Sequence, residues 1–160
     1  MKVIVIGPRG KMGKLITQVA AERDDMELVA GVAPAGRDYV GQDLGMVALI
    51  GRNLGVPVVD DLAAVIDGCD VIIDFSTREN ALKVLDLAVK HGKALVCGTT
   101  GFSEEEFARF KEAAKTIPML YAANTSKLVN IMNKLLEMVT KTLGEDADIE
   151  ILEMHDQWKK

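Results

Sequence analysis

Two clusters in this 160-residue sequence have residue types and spacings that could do chemistry. The first is Gly7, Pro8, Arg9, Gly10, Lys11, Met12 and Gly13, with glycines at G-x-x-G-x-x-G. Glycines at such intervals let the chain turn tightly and approach a pyrophosphate closely. A helix starting directly after them offers free N–H groups and its positive dipole end. The usual dinucleotide spacing is G-x-G-x-x-G, so the role of the middle glycine is shifted here. Context separates this turn from a bland Gly-rich loop: an apolar strand-like run precedes it and an amphipathic pattern follows. The second cluster is His155, Asp156, Gln157, Trp158 and Lys159. A histidine with an ordinary pKa of about 6.5 suits proton donation near neutral pH. Alone, His155 reads equally as a terminal surface residue.

The end of the second strand bears on which dinucleotide the turn would hold. NAD enzymes usually place a carboxylate there for the ribose 2′-hydroxyl. Here the strand ends in Val32, Ala33 and Pro34, with Arg37 just beyond and Arg9 and Lys11 in the glycine turn. A 2′-phosphate would meet positive charge, so the sequence leans to NADPH over NADH. Asp38 weighs against that leaning, and Arg37 reads equally as a solvated loop residue.

These residues need a scaffold of alternating strands and helices, and the apolar pattern supplies one. Residues 3–6 form a continuous apolar run, as in a strand covered on both faces. Met12, Leu15, Ile16, Val19 and Ala20 then repeat at helical spacing and predict a buried stripe. Further strands are expected at residues 27–32, 57–59, 71–75, 94–97 and 119–122, and helices at 61–66, from 76 to near 92, starting at 103, and from about 127 to 143, while residues 34–54 lack a firm period. Ser76 with Glu79, and Ser103 with Glu106, have capping-box spacing, and Phe102 with Phe107 the spacing of a hydrophobic staple. The pattern predicts an α/β, doubly wound parallel sheet of Rossmann type. Residues 149–153 nearly alternate apolar and charged, predicting a strand with one wet face in a different, mixed sheet.

Composition narrows the partners. A formal net charge of −5, with 49% hydrophobic and 27% charged residues, gives no support for a nucleic-acid or anionic-membrane footprint. No run is long and apolar enough for a membrane helix or a signal peptide. Cys69 and Cys97 read as small core residues of a cytoplasmic protein, and no metal site is expected. His91, before Gly92, reads as a partner of a helix carboxyl end.

The segments GxxGxMG at 7–13, IIDFS at 72–76, GTTGF at 98–102, AANTS at 122–126 and EMHDQWK at 153–159 together resemble the dihydrodipicolinate reductase family. The resemblance covers essentially the whole chain. It implies NAD(P)H-dependent reduction of a cyclic imine dicarboxylate on the lysine and diaminopimelate pathway. Gly7, Pro8, Arg9, Gly10, Lys11 and Met12 would hold the pyrophosphate. Gly98, Thr99 and Thr100 would contact the nicotinamide ribose and ring, and Ala122, Ala123, Asn124 and Thr125 would line the nicotinamide side. Asn124 reads alternatively as a local turn residue. His155 would be the acid and Lys159 the cation of a family motif His-His-x-x-x-Lys. Asp156 departs from that motif beside the substrate and puts substrate identity in question. The family assembles as a homo-oligomer, typically a tetramer. Its later segment resembling DAPSGTA is absent, so residues 1–126 read as a dinucleotide-binding domain and 127–160 as the first helix and strand of a substrate domain that is cut short. Two other readings stay open: a dinucleotide-binding module without turnover, and an amino-acid or diamine dehydrogenase of related fold.

Overall fold

The first apolar run becomes the centre of a sheet. In the computed structural model, which describes residues 1–152 and Met154, six strands lie parallel: β1 (Lys2–Ile6), β2 (Glu27–Val32), β3 (Val58–Val59), β4 (Val71–Asp74), β5 (Ala94–Cys97) and β6 (Met119–Tyr121). Their order is β3-β2-β1-β4-β5-β6, the doubly wound arrangement. β1 is apolar throughout its inner residues because alternate side chains enter two cores. Ile4 and Ile6 pack with Ile72, Leu95, Leu85 and Phe110, whereas Val3 and Val5 pack with Val71 and Ile16. The expected strand at 57–59 and helix at 127–143 are present with nearly these bounds.

The longer helices are α1 (Lys11–Ala21), α3 (Arg78–His91), α4 (Glu104–Ala113) and α5 (Lys127–Leu143); α2 (Leu44–Val47) is a single turn. α4 begins in the expected capping box: Glu106 N–H donates to Ser103 Oγ at 3.2 Å, and Ser103 N–H to Glu106 Oε2 at 2.8 Å. Phe102 and Phe107 both pack on Phe110 and Tyr121. Gly92 ends α3 in the left-handed region, and His91 Nδ1 lies 2.8 Å from Asp67 Oδ1. Cys69 and Cys97 are both buried, and burial pushes the Cys97 thiol up to about 11.

Four expectations need correction. The predicted stripe on α1 holds only in part: Ala20 is buried and Ile16 packs against Val3 and Val5, but Met12, Leu15 and Val19 are 38%, 55% and 57% exposed, and Gly13 and Thr17 are buried in their place. The helix lies so close to the glycine turn that only small side chains fit beneath it. α3 starts one residue later than expected, capped by Thr77, because Ser76 N–H is already committed to the Asp74 carboxylate at 2.8 Å and Ser76 Oγ to Asn80 Nδ2 at 3.0 Å. Residues 61–66 form turns leading into a 3-10 turn at Ile66–Gly68, not a helix; Asp61 instead accepts from Ala63 N–H. Among the described residues, 149–152 carry no strand, since an alternating segment becomes one only where a ladder partner lies alongside.

The unpatterned stretch has its own organiser. Asp43 caps α2 through Gly45 N–H and also accepts from the N–H groups of Leu54, Gly55 and Val56. One carboxylate therefore closes the loop from both ends. Burial raises its pKa, but the four backbone donors outweigh this and hold it below the usual carboxylate range. The chain divides into two compact units, Met1–Ala123 and Asn124–Lys160. In the second, Ser126 caps α5 by accepting from Val129 N–H, and Asn124 Oδ1 accepts from Ser126 N–H. No helix among the described residues is long and apolar enough to cross a membrane.

Candidate functional site

Strand register brings the chemistry to one edge. Val32 pairs with Ile6, Ile6 with Asp74, Asp74 with Cys97 and Cys97 with Tyr121, so five strands end in one row. Just past this row leave the glycine turn, the loop toward Arg37, the Phe75–Ser76 corner, Gly98 and Ala122. The strand order reverses at β1, the place in such sheets where a crevice opens for a ligand. A cavity of about 620 Å³ lies there, with Gly7 and Gly10 on one side, Ala33, Arg37 and Tyr39 on another, and Ser76 and Asn80 on a third.

The glycines have separable tasks. Gly7 sits at φ +67°, and its carbonyl accepts from Gly10 N–H at 2.9 Å, which closes the turn. A Cβ on Gly13 would fall 2.1 Å from the Gly7 carbonyl oxygen, so Gly13 is what lets α1 approach. Gly10 caps α1 and offers no side-chain acceptor to the first-turn N–H groups. Those donors and the dipole end remain available to an anion. Pro8 is buried behind the turn, whereas Arg9, Lys11 and Met12 are exposed along it. Arg9 Nη1 lies 2.9 Å from Asp38 Oδ1. Arg37 is exposed at the cavity.

On the β4–β5 side, polar groups are buried without full complements. Asp74 is fully buried; its Oδ1 accepts from Ser76 N–H, and among the described residues its Oδ2 has no partner. Burial pushes the carboxyl above its usual range, against the opposing hydrogen bonds from Ser76. The Thr99 hydroxyl is buried and likewise lacks a partner among the described residues. Gly98 packs on Phe75, whose ring a Cβ would meet at 2.0 Å. Thr100 and Ala123 are exposed, and Ala122 is half-buried with its N–H donating to Cys97 O at 3.1 Å. Asn124 and Thr125 are exposed in the second unit, where the Asn124 side chain does serve a local turn. His155, Asp156 and Lys159 lie outside the described residues.

Gly7, Gly10 and Arg37 thus meet at one cavity, with Pro8, Arg9, Lys11 and Met12 in the adjoining turn. Sequence reasoning missed Tyr39, which lies in the stretch without a period, and Asn80 and Lys83, which also line the cavity. The Asn80 signal was the spacing of Ser76 and Asn80 at i and i+4.

The family model described as dihydrodipicolinate reductase, N-terminus, matches residues 1–125. The chain belongs to the dihydrodipicolinate reductase family. Among curated relatives, 4-hydroxy-tetrahydrodipicolinate reductase of Geobacter metallireducens is 46% identical over 160 residues, covering 100% of this chain and 59% of the relative. The Hahella chejuensis protein of the same name is 42% identical over 159 residues, with 99% and 59% coverage. A solved dipicolinate-bound dihydrodipicolinate reductase from Paenisporosarcina sp. TG-14 superposes with a TM-score of 0.71 at 26% identity, over 88% of this chain and 53% of that one. The chain therefore spans 59% of the length of these curated family members.

Proposed function

We propose that this chain holds the nicotinamide cofactor of a 4-hydroxy-tetrahydrodipicolinate reductase, with NADPH preferred over NADH. The observation that carries the reading is the cavity at the strand-order reversal, bounded by a helix start without a side-chain cap, in a chain of this family. The residues present fit a dinucleotide. Gly7 and Gly10 line the cavity without side chains, Gly13 lets α1 approach the turn behind them, and the Thr99 hydroxyl has hydrogen-bonding capacity to spare.

When bound, the cofactor supplies hydride. The N–H groups of Arg9, Lys11 and Met12 hold its pyrophosphate, aided by the α1 dipole, while Gly7 and Gly10, whose N–H groups donate to the Val32 and Gly7 carbonyls, shape the turn. Arg37, Arg9 and Lys11 attract a 2′-phosphate, which is the basis for preferring NADPH. Gly98, Thr99 and Thr100, with Ala122, Ala123, Asn124 and Thr125, orient the nicotinamide. His155 gives a proton from its ring nitrogen to the reduced substrate, and Lys159 holds a substrate carboxylate. Asp156 either pairs with a lysine or points away from the dicarboxylate. In this reading residues 1–126 are the dinucleotide domain, and 127–160 begin the substrate domain through which the enzyme forms a cytoplasmic homo-oligomer.

The test measures NADPH binding and NADPH oxidation with 4-hydroxy-tetrahydrodipicolinate. Binding with substrate-dependent oxidation, lowered far more in kcat than in cofactor affinity by His155→Gln, is the expected result. Binding without oxidation would leave only the cofactor assignment standing for this chain. Oxidation with an amine-derived imine alone would replace the substrate, and no binding of either dinucleotide would overturn the proposal.

A further inference from the structure

Arg9 leaves the glycine turn with its guanidinium over the Tyr39 ring, 4.9 Å from the centroid. Tyr39 is 9% exposed and lines the cavity, so the ring is a fixed shelf. A guanidinium stacked on a ring keeps its N–H edge free for the two-oxygen geometry of a phosphate or carboxylate. Here Nη1 on that edge is engaged by Asp38 Oδ1 at 2.9 Å. Both partners are accessible, with side chains 53% and 78% exposed, so a ligand can displace one from the other. Arg37 lies beside Asp38 in sequence and lines the same cavity; among the described residues no carboxylate pairs with it or with Lys11. Asp38 is also not at the end of β2 (Glu27–Val32), the place from which a carboxylate takes a ribose 2′-hydroxyl.

Resting on the cofactor reading above, we infer that Asp38 is a built-in competitor for the 2′-phosphate: it engages Arg9 while the cavity awaits nucleotide, and so narrows the preference for NADPH over NADH. NADH has no group that needs to displace it. Tyr39 fixes the guanidinium so that Arg9 exchanges one anion for the other without reorganising. An exposed ion pair is modest in strength, which limits the narrowing to about two- to five-fold.

The experiment titrates the 160-residue chain with NADPH and with NADH, reading nucleotide fluorescence, for the parent, Asp38→Asn, Arg9→Gln and the double variant. Asp38→Asn is expected to tighten NADPH by about two- to five-fold and leave NADH unchanged. The gain should vanish in the Arg9→Gln background and shrink at about 1 M salt. Equal changes for both cofactors, or a gain that survives loss of Arg9, would overturn the inference. Weakened NADH binding would show that Asp38 accepts from the 2′-hydroxyl instead and would overturn it too. A parent that binds both dinucleotides while Asp38→Asn leaves their ratio unchanged refutes only this inference; a parent that binds neither refutes the cofactor reading with it.

Discussion

Gly13→Ala should damage the fold, not merely the ligand site. A Cβ at position 13 would stand 2.1 Å from the Gly7 carbonyl oxygen, 2.8 Å from the Gly7 carbonyl carbon and 2.9 Å from Pro8 Cα. Ordinary contact begins at 3.4 Å, so the oxygen alone must retreat by 3.4 − 2.1 = 1.3 Å. All three atoms are backbone, and the oxygen already accepts from Gly10 N–H, so no side-chain rotation relieves the clash. Overpacking of this kind costs about 1–3 kcal/mol, and a displacement this large belongs at the upper end. The helix propensity gained by replacing glycine returns up to about 1 kcal/mol, leaving a net loss of about 2–3 kcal/mol. Thermal unfolding should show a decrease of about 4–12 °C, at about 2–4 °C per kcal/mol for a chain of this size. Gly10→Ala is the control. Its Cβ would meet the same oxygen at 3.2 Å, and its φ of −68° suits any residue. It should lose at most about 1 kcal/mol, from the poorer cap. A Gly13→Ala chain as stable as the parent, or less damaged than Gly10→Ala, would refute the assignment of Gly13 to close helix approach.

Three further outcomes follow from named groups. Asp74 has a raised pKa, so the folded chain binds this proton more tightly than the unfolded chain, and its stability contribution falls as pH rises above the usual carboxylate range. In urea titrations Asp74→Asn should therefore gain on the parent as pH rises above the usual carboxylate range of about 4; a constant difference would show that the carboxyl ionises normally. Asp43 has the opposite sign: its lowered pKa stabilises the fold above the usual carboxylate range, and this is lost as pH falls through the folded-state value. Asp43→Ala should cost about 1–3 kcal/mol near neutral pH and raise amide exchange at Leu54, Gly55 and Val56, whereas unchanged exchange would mean those donors are held otherwise. Among the stacked aromatics, Phe110→Ala removes a fully buried ring and should cost about 3–5 kcal/mol in the same urea assay, with a loss under about 1 kcal/mol contradicting its place in the core.

The scaffold was largely legible because parallel strands buried on both faces write themselves as apolar runs, as residues 3–6 and 94–97 do. Helix α4 was legible down to its cap because Ser103 and Glu106 act on each other over three residues. What the sequence concealed depended on contacts between distant segments. The outward turn of Met12, Leu15 and Val19 follows from how closely α1 approaches the Gly7 carbonyl, and spacing within a helix does not encode that distance. Tyr39 reaches the cavity through a loop closed by Asp43, whose four donors lie between two and thirteen residues away. In the site, glycine spacing pointed to the turn, but the partnerless hydroxyl of Thr99 and the carboxyl of Asp74 emerge only from burial.

A dinucleotide bound as proposed meets the sheet edge at the glycine turn and the Gly98–Thr99 corner. Backbone amide shifts recorded while NADPH is added to the 160-residue chain would locate it. Saturable changes concentrated at Gly7, Gly10, Lys11, Met12, Gly98 and Thr99 are predicted. Absence of saturable change, or changes gathered instead around Leu85, Val89 and Arg109 on the α3–α4 face, would contradict the assignment.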